Sequence, residues 1–536
     1  MGVGEGDSGV CLAELIAALS LGIDLGLGQP MEHVLRESVL ALGLGERFGL
    51  DEPERSLMYY VALLAWVGCH ADSHEQARWF GDEIAAKVDL YGIDLVGLAK
   101  RRYVMRHLGA GEVGFARART ALQFVASGRA AMESMHSTHC LIAGDLASRL
   151  GLGEPVREAL LQVFERWDGN GDPGELSGPA ISRPVRVVQL ADVAEVFHRE
   201  GGIEAAVAMA RDRGGTQFDP EVVECFCDAA GELLAPLGEM TSWDAVIEAQ
   251  PGLRRTLSNS ELDDALEAIG DFADLKSPYT LGHSRAVADL AAEAGRGCGL
   301  SVEELRTLRR AGLVHDLGRL GVSNAIWDKR GSLSTVERER IRLHPYLTER
   351  IVCYSPALAP LGMLAAQHHE RLDGSGYPRG LNASALSPSA RILAAADVYR
   401  AMLEPRPHRT AMSAPDAADA LRTEARAGRL DGEVVDEVLR AAGHERTRRP
   451  QRPAGFTARE VEILRLLARG LLNKQIARQL EIAPKTVGNH VEHIYAKIGV
   501  SSRAAAALFA TEHGLLALGD DVGVTSPAGV STAQTR

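Results

Sequence analysis

The chain has 536 residues, a formal net charge of −14, and 46% hydrophobic, 24% charged and 5% aromatic residues. That length holds three or four domains at roughly 100–200 residues each, and the composition is that of a water-soluble, helix-favouring globular protein. The acidic balance excludes a chain that coats nucleic acid along its whole length, but leaves room for one small basic DNA-binding module. Seven scattered cysteines, odd in number, fit a reducing cytoplasm rather than a disulfide framework. Cys225 and Cys227 form an isolated C-x-C and are read as buried thiols.

Residues 1–8 are acidic and Gly-rich and lack the basic start of a signal peptide. The apolar run 11–27 carries Glu14 and Asp24, so it predicts a core helix with Gly-rich ends. No stretch reaches the ~18 uncharged apolar residues of a membrane span. The first 240 residues gain meaning by comparison with a later segment. His33 precedes Gly68 by 35 residues, as His283 precedes Gly318; His139 precedes Glu165 by 26, as His344 precedes Glu370; Glu165 precedes Asp192 by 27, as Glu370 precedes Asp397. The string Glu165-Arg-Trp-Asp-Gly-Asn-Gly-Asp-Pro173 matches Glu370-Arg-Leu-Asp-Gly-Ser-Gly-Tyr-Pro378. Three equal spacings and a shared string predict a tandem duplication, with about 45 extra residues in the first copy between Gly68 and His139.

Residues 238–270 are read as a connector ending in a short helix over 263–269, and helices are predicted over 284–296, Val302–Val314 and 335–354. Ser301 with Glu304 makes a capping box, Thr335 is a weaker N-cap, and 378–389 is read as loop. Nothing in this part alternates long enough to demand a sheet. His283, His315-Asp316, His344, His368-His369 and Asp397 offer five imidazoles and two carboxylates, ligands suited to Fe, Mn or Zn. An Asp beside a His can bridge two metals while the His binds one, and two close metals can clamp a phosphodiester for in-line attack. The residues alone therefore predict a dinuclear phosphohydrolase-like site.

The ordered set His283, His315-Asp316, His344, His368-His369-Glu370, Asp373-Gly374, Gly376-Tyr377-Pro378 and Asp397 resembles the HD-GYP branch of the HD phosphohydrolases over roughly 270–443. The resemblance implies that His283, His315, Asp316 and Asp397 surround one divalent ion, and that Asp316 bridges to a second held by His344, His368 and His369. It implies Fe or Mn as the metal and cyclic di-GMP as the substrate. Asp316 and Arg319 would be catalytic, and Arg319, Gly376, Tyr377 and Pro378 would meet substrate. Lys329 is either a further phosphate contact or a solvated loop lysine. Two departures stand out. Arg319 replaces a Lys common in the family, keeping the charge but changing its geometry. Tyr279 stands where three-metal members carry Glu, so two ions are expected. In the first copy the His-Asp pair aligns with Ala65-Trp66 and the double His with Val163-Phe164. His33, His139 and Asp192 remain, and the site is expected to be filled in as core. The first copy is then either a ligand-sensing or dimer-forming pseudo-domain, or a structural partner.

Residues 444–454 are a basic linker rich in Arg and Pro. Residues 455–516 resemble a LuxR-type helix-turn-helix through Thr457-Ala-Arg-Glu460, Asn473-Lys-Gln-Ile476-Ala477, Lys485-Thr486-Val487, His490 and Lys497-Ile-Gly-Val-Ser-Ser-Arg503. Eight Lys/Arg against five Asp/Glu give this module a net +3. Val487, Val491, Ile494 and Ile498 repeat as one apolar helix face. The resemblance implies that this helix enters the major groove and that Lys485, Thr486, Val487, Asn489, His490 and Lys497 meet DNA. Residues 519–536 are read as a disordered tail.

The expected architecture is mainly α: two tandem HD-type helical domains over 1–240 and 241–443, then a small helix-turn-helix domain over 455–518. The expected protein is a cytoplasmic, homodimeric cyclic di-GMP phosphodiesterase coupled to binding of double-stranded DNA, with no membrane partner. A nucleotide-sensing regulator without turnover, or a phosphohydrolase of another nucleotide, are the alternatives.

Overall fold

The helix Leu12–Leu27 is apolar all round, so burial on every side is its stable environment. Within it only Glu14 and Leu25 reach partial exposure, and Gly28, at φ 69°, closes it in a left-handed cap. It packs against the short turn Leu317–Gly321 and the helix His344–Val352, which carry site residues. The computed structural model describes residues 7–94, 96–238, 242–252, 254–444, 456–513 and 515. They fall into two compact units, Met1–Glu445 and Arg446–Arg536. The expected tail over 519–536, most of the linker and residues 1–6 lie outside the described residues.

In the first unit, Val302–Val314 is a helix closed by the Ser301–Glu304 capping box. The expected 263–269 helix is longer, Asn259–Asp274, because Ser258 and Glu261 supply a capping box upstream. The expected single helix over 335–354 is two, Thr335–Arg342 and His344–Val352. Pro345 cannot donate a backbone hydrogen bond, so the chain breaks at Leu343. The N-cap is Ser334 with Glu337 rather than Thr335. The loop after Pro378 ends at Ser387, which caps Pro388–Leu403. The connector holds a helix, Ser242–Glu248, and a strand, Thr256–Ser258, that pairs antiparallel with Asp7–Cys11. Neither strand is long enough to show an alternation, which is why sequence gave no hint of this two-stranded sheet. Cys225 and Cys227 are free and half-buried rather than buried.

Helices His33–Arg47 and Glu52–Leu64 recur 250 residues on as His283–Gly297 and Val302–Val314. Details recur with them. Glu32 and Gly282, one residue before each histidine, are both left-handed, at φ 80° and 75°. The backbone N–H of Val34 donates to Asp24, as that of Ser284 donates to Asp274. Glu165 accepts from the N–H groups of Glu175 and Leu176, and Glu370 from those of Arg379 and Leu381.

The two halves are not separate bodies, since buried apolar residues form one continuous cluster from Val10 to Leu439. The extra segment of the first half folds into Ser73–Phe80, Glu83–Leu90, Gly97–His107 and the start of Phe115–Arg149. It reaches the second half through Glu83, which accepts from Ser323 Oγ at 2.6 Å and Asn324 N–H at 2.8 Å, and through His74, 2.8 Å from Asp328. The second unit has four described helices, Ala458–Ala468, Asn473–Gln479, Pro484–Ile498 and Arg503–Glu512, around its own core. Among the described residues no helix is long and apolar enough to cross a membrane.

Candidate metal centre

Helix ends bring the site together. His283 opens its helix after the left-handed Gly282. His315 and Asp316 leave the end of Val302–Val314, where the chain tightens into the turn Leu317–Gly321. His344 opens the helix that Pro345 restarts. His368 and His369 follow Ala359–Ala365, and Asp397 faces inward from Pro388–Leu403. All seven expected residues meet in one place.

Asp316 stands between two groups of imidazoles. Its Oδ2 lies 3.9 Å from His283 Nε2 and 3.7 Å from His315 Nε2; its Oδ1 lies 3.4 Å from His344 Nε2 and 3.8 Å from His368 Nε2. Asp397 lies 3.3 Å from His283 Nε2 and 3.5 Å from His369 Nδ1. His315, His344 and His368 each direct Nδ1 at the carbonyl three residues back, at 2.6–2.7 Å, leaving Nε2 facing the centre. His283 Nδ1 is held instead by Glu404 at 2.9 Å. Such outer partners fix ring orientation in metal sites.

The electrostatics suit cations. Burial pushes His344 down to about 4 and His368 to about 3, which keeps both imidazoles neutral. Burial would also raise Asp316, but His315, Arg319 and His344 outweigh it and hold the carboxyl well below its usual range. For His283 burial acts downward, and hydrogen bonds to Asp397 and Glu404 overcome it to reach about 10. His315 Nε2 is buried without a hydrogen-bond partner among the described residues. An orphaned inward nitrogen amid imidazoles and carboxylates fits a borderline divalent ion.

The centre opens into a cavity of about 620 Å³. Arg319, Lys329, Arg330, Arg338, Arg406 and Arg409 line it, with Trp327 and Tyr377. Arg319 lies 3.0 Å from Asp316 and stacks on Trp327 at 3.9 Å. Lys329, half-exposed, pairs with Glu337 at 2.7 Å, yet also lines the cavity. Tyr377 packs on His369 with ring centres 4.7 Å apart. Gly376 and Pro378 do not line the cavity. A Cβ on Gly376 would sit 2.4 Å from the Arg371 nitrogen, so its expected substrate contact is corrected to close packing against the Glu370–Arg371 backbone. Pro378 is half-buried beside it. Sequence reasoning missed Trp327, Glu404 and Arg406, which sit in loops or at helix ends without periodic signal.

In the first half, Trp66 and Phe164 pack together at 5.7 Å, but both line a cavity of about 310 Å³, so the site is not filled in as expected. The other side is not apolar. His33 contacts Glu195 at 2.6 Å and Asp192 at 3.2 Å, and Glu37 is fully buried beside them. The expectation of conversion to core fails here, because charged residues line this face.

In the second unit, Lys485, Thr486 and Asn489 are exposed on Pro484–Ile498 and His490 is half-exposed. Val487 is fully buried in the helical core, which corrects its expected place at the DNA. Lys497 pairs with Glu460 at 2.7 Å.

A helical body with an adjacent His-Asp pair at the centre of an imidazole cluster defines an HD-type metal-dependent phosphohydrolase. Residues 267–434 match the family described as HD domain, and 454–510 match the bacterial regulatory proteins of the luxR family. The chain is 32% identical over 405 residues to 3'3'-cGAMP-specific phosphodiesterase 3 of Vibrio cholerae serotype O1, covering 75% of this chain and 88% of that one. It is 38% identical over 156 residues to the cyclic di-GMP phosphodiesterase response regulator RpfG of Xanthomonas campestris pv. campestris, covering 29% and 40%. The crystal structure of a cyclic GMP-AMP specific phosphodiesterase of Vibrio cholerae matches with a TM-score of 0.56 and 28% identity, over 81% of this chain and 98% of that one. The chain belongs to the HD-GYP family of cyclic dinucleotide phosphodiesterases and carries a luxR-type regulatory domain beside the HD body.

Proposed function

We propose that the chain hydrolyses one phosphodiester bond of a 3',3'-linked cyclic dinucleotide, giving a linear dinucleotide, and that the nucleotide sets the state of its DNA-binding domain. The observation that carries this is the cationic cavity with two aromatic rings, opening directly on the Asp316 cluster. A cyclic dinucleotide offers two phosphates and two flat bases, which complement Arg319, Arg406 and Lys329 on one hand and Trp327 and Tyr377 on the other. His283, His315, Asp316 and Asp397 would hold one divalent ion, and Asp316, His344, His368 and His369 a second, with Fe or Mn favoured. When bound, such ions supply Lewis acidity to a phosphoryl oxygen and lower the pKa of water. Arg319 neutralises phosphate charge while Asp316 and Trp327 hold it in place.

Cyclic di-GMP and 3'3'-cGAMP both fit this chemistry. The relative matched over most of the chain is a 3'3'-cGAMP enzyme, so that substrate is tested first. The first half is read as a diverged copy of the second, supported by the recurring helices and hydrogen bonds. Lys485, Thr486, Asn489 and His490 would meet DNA. The helix Arg503–Glu512, with Leu508 59% exposed, offers a homodimer surface. The test is turnover of both nucleotides by protein purified anaerobically with Fe(II) or Mn(II), beside Asp316→Ala. Linear product is expected from the wild type, falling by at least ~100-fold in the variant, the upper range for losing even an outer metal partner. Bound metal with no product from either nucleotide would sink the phosphodiesterase reading and favour a sensor without turnover.

A further inference from the structure

We propose that His33, Glu37 and Asp192 form a separate single-ion site for a divalent transition metal, in the half of the chain that lacks the His-Asp pair. One nitrogen of His33 and one carboxylate oxygen each from Glu37 and Asp192 lie within 4.8 Å of one another. His33 and Glu37 are four residues apart on one helix, so their side chains share a face. Asp192 reaches them from Arg183–Arg213. All three are at least 98% buried.

The decisive group is Glu37. Both of its carboxylate oxygens are buried without a hydrogen-bond partner among the described residues. A buried carboxyl with neither oxygen satisfied costs free energy unless it is protonated or meets a cation. At the matching position 250 residues on, the second half carries Val287, an apolar residue buried in the core. Glu37 is therefore not a remnant of the second-half ligand set. It adds a carboxylate where that half has none.

The surroundings match those of a metal site. Glu195 accepts from His33 Nδ1 at 2.6 Å and directs Nε2 at Asp192, 3.2 Å away. This repeats the second half, where Glu404 holds His283 Nδ1 and Nε2 faces Asp397. Arg36, at 2.7 Å, offsets the charge of Glu195, so that carboxylate orients rather than competes. The Tyr91 hydroxyl lies 3.4 Å from His33 Nε2 and could offer a further oxygen. Asp24 has one unsatisfied buried oxygen nearby. Tyr91 and Asp192 also line a cavity of about 310 Å³, which gives an ion a way in. One imidazole with two carboxylates suits Mn, Fe or Zn.

The experiment counts metal by plasma mass spectrometry on full-length protein loaded with Mn(II) or Zn(II) and desalted. The His315→Ala/His368→Ala variant, which breaks each of the three ligand groups around Asp316, is expected to keep one ion per chain. Adding Glu37→Gln should remove that ion, and also remove the rise in Tm that Mn(II) gives the double variant. Glu37→Val copies the residue of the second half and keeps the test readable if the Gln variant does not fold. Wild type against Glu37→Gln alone should differ by one ion, whether or not the Asp316 cluster holds metal. A folded double variant without metal, or an ion that survives both Glu37 substitutions, would overturn the site.

Discussion

Lys276 shows how much a single buried charge depends on a distant element. Its ammonium is buried, makes no hydrogen bond among the described residues, and lies 3.5 Å from Glu83 of the first half. Burial lowers it from 10.5 to about 8, with Glu83 opposing. The folded state thus releases this proton more readily than the unfolded chain. The penalty is complete below about 8 and is relieved as pH rises toward 10.5. Lys276→Met should therefore be more stable than wild type near neutral pH, by up to about 3 kcal/mol. The gap should narrow through that window, as followed by Tm against pH. A constant gap would show that Lys276 is charged and compensated throughout. At this scale the metal-type side chains were legible, because His and Asp at fixed spacings have few other uses. Lys276 was not, because only the fold brings Glu83 near it.

At the scale of elements, the two glycine loops offer a matched pair. A Cβ on Gly376 would meet the Arg371 nitrogen at 2.4 Å, and one on Gly171 the Arg166 nitrogen at 2.6 Å. Neither backbone can yield cheaply, so each Ala substitution should cost about 1–3 kcal/mol. Of the two, only Gly376 adjoins a residue whose ring lines the 620 Å³ cavity, Tyr377. Gly376→Ala should therefore also raise KM for the nucleotide, while Gly171→Ala should lower Tm without that effect. Equal KM changes in both would argue against a substrate role for Tyr377. Helix type was readable from sequence, and so was the Ser301–Glu304 cap, whereas the cap expected at Thr335 falls on Ser334. The break at Leu343 followed from Pro345, whose missing donor outweighed a continuous helical pattern. The strand Thr256–Ser258 was not readable, since its partner lies some 250 residues away.

At the scale of the whole molecule, one chain carries both the HD-type site and a luxR-type regulatory domain. DNA affinity of the Asp316→Ala chain, measured with and without 3'3'-cGAMP or cyclic di-GMP, should differ by at least about fivefold if the two are coupled. Equal affinities would leave the coupling unsupported. In the same assay Lys485→Ala should weaken binding and reduce the salt slope by about 1, as expected for a phosphate contact.

The sequence by itself determined the chemistry available: the imidazoles and carboxylates, the regulatory domain with its basic face, and the repeat spacing. These follow from residue type and interval, which survive without coordinates. The tertiary structure decided which groups meet and what lies between them. It set Asp316 between two groups of imidazoles, turned Gly376 to the backbone and Val487 to the core, and merged the two halves into one core. It also left Glu37 buried with no hydrogen-bond partner among the described residues. Burial and contact between distant segments arise only when the chain closes on itself, and they decide whether a charged side chain is a surface group, a ligand or a liability.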